Sequence, residues 1–434
     1  MLNIVIKPHR SYLRANTPEP QKLFVMLRLI PESKLAQTRS HIAVALVIDT
    51  SGSMREEMNN VVKLEHAIEA AHRLIDAPQL QPEDKICIIQ FDDSSNVLLP
   101  LSPLDRARAH QVVETLRNYD GGTQMGKGMQ NALQQLGKEP PDVPKRLVLL
   151  TDGQTFDEPL CRELADKLAQ ANIPVVAFGI GDEYNEGLLI EISNATKGKW
   201  LTLTDIQQQG QYFNIQKLDK YFMDTLSQTV GEVITDCKLR VQAVKGVKID
   251  ALHRVYPDIV DIAVDSQPFK LGNIPAGDYT IYILELTVSG LSRPPSKVRL
   301  AELTLWGSIP GMKQKEVEFP PTELFVSFVT DEALTAQVDP EVMDYLQNKN
   351  IDNLIQKATA LASQGKTQEA RQTLQMAVGL TQRLNNPRLT QILNSAVNEL
   401  DKTGRISSNV TKMLRAGGRT MTVKSKHTEI YKGD

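Results

Sequence analysis

The sequence predicts an α/β protein in which a doubly wound, mostly parallel sheet is joined to an antiparallel β-sandwich and a C-terminal helical segment. Three observations carry that expectation. From Ile42 onward, strand-length runs apolar at nearly every position alternate with helical patterns, as happens where helices cover both faces of a parallel sheet. After residue 236 the runs alternate apolar and polar and are punctuated by Gly and Pro, the pattern of a sandwich. From residue 336 the apolar spacing returns to three and four, the period of a helix.

Residues 1–38 contain two strand candidates, LNIVIKP and KLFVMLRLIP, read as strands of the sandwich; the doubly wound domain is then an insertion within it. That domain is expected over 39–212. Its strands are IAVALVI (42–48), KICIIQF (85–91), RLVLLT (146–151), IPVVAFGI (173–180) and KWLTL (199–203). Between them, Leu64, Ala67, Ile68, Ala71, Leu74 and Ile75 form an amphipathic stripe, and helical patterns cover 104–118, 125–136, 158–171 and 186–195. A bridging helix is expected over 213–236 and the sandwich over 237–335. Residues 336–401 read as a helical hairpin or cap turned at Gly365; the pair resembles one tetratricopeptide unit, without the further copies such units need to share a core. Residues 402–434, polar and basic, read as a flexible tail.

At 434 residues the chain is longer than one core supports, so two or three domains are expected. A formal net charge of -3 is near balance and gives no reason to expect nucleic acid as a partner. Cys87, Cys161 and Cys237 are far apart and without CxxC spacing, which argues against a disulfide framework or a zinc site and for a reducing compartment. The N-terminus lacks the apolar core of a secretory signal, and the run Ile42 to Ile48 is far short of a membrane span. The expectation is a soluble, cytoplasmic protein.

The residues that carry chemistry stand where strands end. Asp49-Thr50-Ser51-Gly52-Ser53 leaves the carboxyl end of the first buried strand with oxygen-bearing side chains at every second position. Another strand delivers Thr151-Asp152-Gly153 to the same edge, and Asp120-Gly121-Gly122-Thr123 precedes a helix on that rim. In open α/β sheets ligands bind outside these strand ends. Asp49, Ser51, Ser53, Thr123 and Asp152 are all hard oxygen donors, which selects Mg2+, with Mn2+ or Ca2+ as alternatives, over zinc or copper. With only two carboxylates, the site leaves a bound cation partly uncompensated and able to take one acidic side chain from outside.

In this order, DTSGSM, GGT before a helix, and LLTDG resemble the metal-ion-dependent adhesion site of von Willebrand factor A (VWA) domains, with no departure from the five-residue pattern. The resemblance implies a doubly wound VWA fold over about 39–212, with Ser51, Ser53 and Thr123 as direct ligands and Asp49 and Asp152 binding directly or through water. DKICIIQFDD and GIGDEYNEGLL are similar to bacterial members related to calcium-activated chloride channel homologues, which implies a bacterial module rather than a channel.

The resulting expectation is a non-enzymatic, cation-dependent module that captures an Asp or Glu of a protein partner in bacterial signalling or complex assembly. Three alternatives stay open. The same metal could serve a hydrolase, although no general base is tied to the rim by motif. It could knit the loops of a structural scaffold, or the protein could be an adaptor for an AAA+ ATPase. Thr420 and Thr422, in a basic stretch read as unfolded, are candidate sites for a Ser/Thr kinase and, once phosphorylated, for a forkhead-associated domain. Other patterns carry less. Gly121 to Gly128 matches a phosphate loop until Gly128, where Ser or Thr is required, and it follows a helix rather than a strand. His66 and His72 lie six apart on one helix and share no face, and Asp92 and Asp93 read as a solvated loop.

Overall fold

The computed structural model describes residues 2–36, 40–204, 214–289 and 294–428. They fall into two compact units, one of residues 1–38, 236–404 and 417–434, the other of 39–235 and 405–416. The chain starts with β1 (Leu2–Pro8), β2 (Tyr12–Arg14), β3 (Gln21–Pro31) and a single turn, α1 (Ser33–Ala36). The inserted unit follows: β4 (Ala43–Asp49), a small hairpin of β5 (Glu57–Met58) and β6 (Val61–Val62), α2 (Lys63–Ile75), β7 (Lys85–Phe91), β8 (Ser95–Pro103), α3 (Arg106–Glu114), α4 (Met125–Leu136), β9 (Lys145–Thr151), α5 (Glu158–Gln170), β10 (Val175–Ile180), α6 (Glu186–Ala195), β11 (Lys199–Leu203) and α7 (Leu218–Val230).

Its sheet has the order β11-β10-β9-β4-β7-β8, parallel except for β8 at one edge. Every residue of β4 and β9 is buried. That accounts for their unbroken apolar runs, since central strands here face helices on both sides. The predicted stripe of α2 is buried from Leu64 to Ile75. Two elements differ from expectation. β8 lies in the stretch SNVLLPLSP, whose Ser and Pro content hides an antiparallel edge strand, and the helical pattern over 104–118 splits into α3 and a 3-10 turn over Thr115–Asn118.

The expected bridging helix over 213–236 is shorter than predicted. α7 ends at Val230, capped at Gly231, and the β-branched run after it is already strand. That strand is β12 (Glu232–Ala243), followed by β13 (Val247–Tyr256), β14 (Val260–Ile262), β15 (Phe269–Pro275), β16 (Thr280–Val288), β17 (Ser296–Ile309), β18 (Gln314–Glu318) and β19 (Thr322–Val329). Two sheets result, β1-β3-β16-β13-β14 and β15-β12-β17-β19-β2. β3 pairs antiparallel with β16 from Leu29↔Thr280 to Gln21↔Val288, while β2 joins the other sheet parallel to β19.

The helical region is larger than a hairpin. After one turn, α8 (Glu332–Thr335), it comprises α9 (Pro340–Ser363), α10 (Thr367–Arg383), α11 (Pro387–Thr403) and α12 (Ser408–Thr420), with the α9–α10 turn at Gly365, where φ is 75°. Val342 and Tyr345 of α9 pack on Met26, Val255, Ile281 and Ile283. Beneath them Arg28 Nη1 donates to Glu341 Oε1 at 2.7 Å, both side chains buried.

The flexible tail expected over 402–434 is overturned for its described part. α12 buries Val410, Met413, Leu414 and Ala416. Beyond it, Asn386 Nδ2 donates to Met421 O at 2.6 Å and Ser425 Oγ to Asp344 Oδ2 at 2.7 Å. Gly417 and Gly418, which discourage a helix by propensity, permit close approach instead: a Cβ would lie 3.0 Å from Leu389 Cδ1 and 2.9 Å from Ile355 Cδ1, respectively. Thr420 ends α12 and the Thr422 hydroxyl donates to Pro257 O. Both threonines thus lie in hydrogen-bonded structure rather than in the unfolded segment expected, and nothing in the structure supports a kinase or a forkhead-associated partner.

Candidate functional site

Three loops meet at the carboxyl edge of the inserted unit's sheet. Leaving β4, Thr50 N donates to Phe91 O at 2.9 Å and Gly52 N to Gly121 O at 3.0 Å, so the first loop is pinned to the end of β7 and to the glycine loop before α4. The second and third arrive from β9 and from residues 120–124.

All five residues singled out from the sequence stand on this rim. Asp49 is fully buried; its Oδ1 accepts from Ser51 N at 2.9 Å and its Oδ2 from Thr151 Oγ1 at 2.6 Å. Ser53 Oγ donates to Asp152 Oδ1 at 2.7 Å and lies 3.2 Å from Ser51 Oγ. Gly153 locates the third loop: a Cβ there would lie 3.6 Å from Thr123 Oγ1 and 3.8 Å from Ser53 Oγ. The donors of all three loops thus gather around one small space, with Asp152, Ser51 and Thr123 also buried.

Two buried carboxyl groups dominate the electrostatics of the cluster. Burial, aided by the Asp152 carboxylate, pushes the Asp49 carboxyl up to about 7, against the opposing hydrogen bonds from Ser51 and Thr151. Two buried acids share the site, and the protein itself supplies one positive group. Lys63 Nζ, at the start of α2, donates to Asp152 Oδ2 at 2.9 Å, to Glu56 Oε2 at 2.9 Å and to Ser53 O at 3.4 Å. Burial disfavours its charge, but these bonds outweigh the penalty and hold its pKa above the usual lysine value. The hydroxyls and carboxylates make an oxygen donor set suited to a hard divalent ion, and the Lys63 ammonium is the competing positive charge beside Asp152. Among the described residues no group of three or more His, Cys, Asp or Glu is arranged to hold a metal; the rim itself offers two carboxylates and three hydroxyls.

The sequence reading passed over several neighbours. Lys63 and Thr151 each bond a candidate ligand directly. Asp92 is buried rather than solvated, accepting from Gln90 Nε2 at 2.6 Å and Ser94 N at 2.8 Å, while Asp93 is exposed. Phe156 stands beside Thr123, 79% exposed. Thr151, which opens the Thr-Asp-Gly motif at the strand end, is the one among them that the sequence signals. His72 does find a partner, from another helix: His110, Nδ1 to Nδ1 at 2.6 Å.

The architecture and this rim define a class of protein that comparison names. Residues 43–216 match the model of the von Willebrand factor type A domain, and residues 340–424 that of the Sll0103-like, C-terminal alpha-helical domain. Residues 43–216 thus carry a VWA domain, and a C-terminal helical domain comes later in the chain. Relatives include the protein sll0103 of Synechocystis sp., 24% identical over 58% of this chain and 59% of its own length, and YfbK of Escherichia coli, 22% identical over 65% and 48%. The match thus spans about three-fifths of the first relative and half of the second. Among solved structures, a von Willebrand factor type A protein from Catenulispora acidiphila superposes with a TM-score of 0.80 at 19% identity, covering 97% of each chain. The ArnB paralog VWA2 from Sulfolobus acidocaldarius gives 0.63 at 16%, covering 98% of this chain and 100% of its own. At such identities the shared property is the fold. No helix among the described residues is long and apolar enough to cross a membrane.

Proposed function

We propose that this protein is a cation-dependent binding module in which Asp49, Ser51, Ser53, Thr123 and Asp152 hold one divalent ion, magnesium first and manganese or calcium as alternatives, that captures an acidic side chain of a protein partner. The observation that supports this most directly is the gathering of five hard oxygen donors from three loops around one space, with only two carboxylates among them. When bound, the ion supplies residual positive charge for an incoming carboxylate. The chain's own residues do the rest. Thr151 and the Ser51 amide orient Asp49, Lys63 fixes the outer oxygen of Asp152, and the Gly52–Gly121 backbone bond holds two loops in register. Charge-assisted contacts at a partly desolvated rim are stronger than those in bulk water. Binding rather than hydrolysis, and a place in bacterial cytoplasmic signalling or complex assembly, belong to the same proposal; the bacterial relatives support the source.

Isothermal calorimetry of the full chain with magnesium, manganese and calcium tests it. One site per chain is expected in the wild type and none in Asp49→Ala or Asp152→Ala. An absence of heat for all three ions in the wild type, with no rise in melting temperature, sinks the proposal.

A further inference from the structure

The rim carries two apolar projections that the metal chemistry does not require, one on each side of the oxygen cluster. On one side Phe156 is 79% exposed, the largest exposure among the described large hydrophobic residues. It is held firmly all the same. Phe156 N donates to Thr123 O at 3.0 Å, and Thr155 Oγ1 donates to Asp157 Oδ1 at 2.6 Å and accepts from Met125 N at 2.9 Å. The ring edge passes over Gly122, where a Cβ would lie 3.3 Å from Phe156 Cε2. That loop rests on the end of β7, since Gln124 N donates to Asp92 O at 2.8 Å and a Cβ on Gly122 would lie 2.4 Å from Asp93 Oδ1.

On the other side is the β5–β6 hairpin. Met58 and Val61 are directly paired across it, and Asn59 and Asn60, with φ of 56° and 60°, make the turn tight. Val61 is 39% exposed, and Met58 Cε lies 3.4 Å from the Cβ position of Gly181, just beyond β10. The cluster itself hangs from β4 and β9, which stand between β7 and β10 in the sheet. The strands beneath the two projections, β7 and β10, therefore lie on either side of the cluster and three spacings apart in the sheet, roughly 14 Å at the usual separation of strands.

We infer that the partner is read as an extended segment with the pattern apolar–any–acidic–any–apolar. In an extended chain every second side chain points the same way, and residues at -2 and +2 from the acid stand roughly 13 Å apart. The acidic side chain would meet the ion while one apolar neighbour covers Phe156 and the other the Met58–Val61 face. An otherwise hydrated ring exposed beside a charged centre gains most from such a partner, because burying it removes apolar surface from water. This inference rests on the metal-capture proposal above and adds the partner's apolar positions to it.

A display library of random linear peptides, presented to the immobilised full chain with magnesium and again with chelator, tests it. In magnesium the wild type should enrich peptides with an acid flanked by apolar residues two positions away. Phe156→Ser should keep the acid preference and lose one apolar flank by roughly tenfold in enrichment, and Val61→Ser should weaken the other. Both positions are exposed, so both variants should melt with the wild type. If acid-containing peptides are enriched but the flanks are random, or identical in wild type and Phe156→Ser, the inference is overturned while metal capture survives. If magnesium brings no acid preference at all, metal capture fails first and this inference with it.

Discussion

Lys63 is the residue that sets the charge of the rim. An ammonium 2.9 Å from Asp152 Oδ2 competes with any divalent ion for that carboxylate. Lys63→Met is expected to raise magnesium affinity about tenfold at moderate ionic strength and to lower the melting temperature of the ion-free protein, because Asp152 then lies buried without its cation. Calorimetry and thermal melts with and without magnesium check this; an unchanged or weaker affinity would contradict it. Away from the rim, His9 gives a pH signature. Burial, with Arg10 nearby, lowers its pKa to about 4 against the usual 6.5, and its Nδ1 accepts from Phe24 N at 3.0 Å, a bond only the neutral ring can make. Below pH 6.5 the unfolded chain binds the proton and the folded one does not, so stability falls as pH drops through that window. After allowance for solvent screening, about 2 kcal/mol should be lost by pH 4, and His9→Gln should flatten that part of the denaturation-versus-pH curve. Asp49, Ser51, Ser53 and Asp152 stood out in the sequence because each ends or follows a strand, and Thr123 because it lies between two glycines and a helix start, places with chemical meaning in this class of sheet. Lys63 and Phe156 were not, because a lysine opening a helix and a phenylalanine in a loop look the same whether they face a site or plain solvent.

At the scale of elements, the parallel strands and most helices of the VWA domain follow from periodicity, because a doubly covered strand tolerates almost no polar residue. Elements whose stability comes from tertiary contacts were hidden. β8 is an edge strand with little to bury, and α12 contains an Ala-Gly-Gly run that reads as a loop until Leu389 and Ile355 are seen against it. The end of α12 is secured through Asp261, which receives His253 Nδ1 at 2.7 Å, Lys349 Nζ at 2.8 Å and Arg419 Nη2 at 3.2 Å. Although burial opposes it, these cations hold the Asp261 carboxyl far below the usual range. Asp261→Ala removes the acceptor that His253, Lys349 and Arg419 share, although Lys349 keeps Asp352 Oδ2 at 3.1 Å. A loss of about 2 kcal/mol is expected, together with faster amide exchange over residues 417–428 by mass spectrometry. Exchange unchanged there would show that α12 is held by its apolar face alone.

For the whole molecule, alternating patterns at both ends of the chain were enough to suggest one sandwich interrupted by a VWA domain, but not how its strands are shared. Nothing in LNIVIKP or KLFVMLRLIP says that β1 and β3 enter one sheet and β2 the other; that follows from pairing partners distant in sequence. The same wiring has a temporal consequence. A ribosome adding about 5 to 20 residues each second releases Leu29 on the order of 10 to 50 s before Thr280, its partner in the β3–β16 ladder, exists. Through that interval β1 and β3 form at best a two-stranded hairpin, marginal by itself, with an apolar edge open to any other nascent strand. The intervening VWA sheet, whose partners lie closer along the chain, can complete itself meanwhile. Synthesis thus favours finishing the insert first and completing the host's own sheets afterwards, and a chain stalled between the two stages would be the form most prone to aggregate.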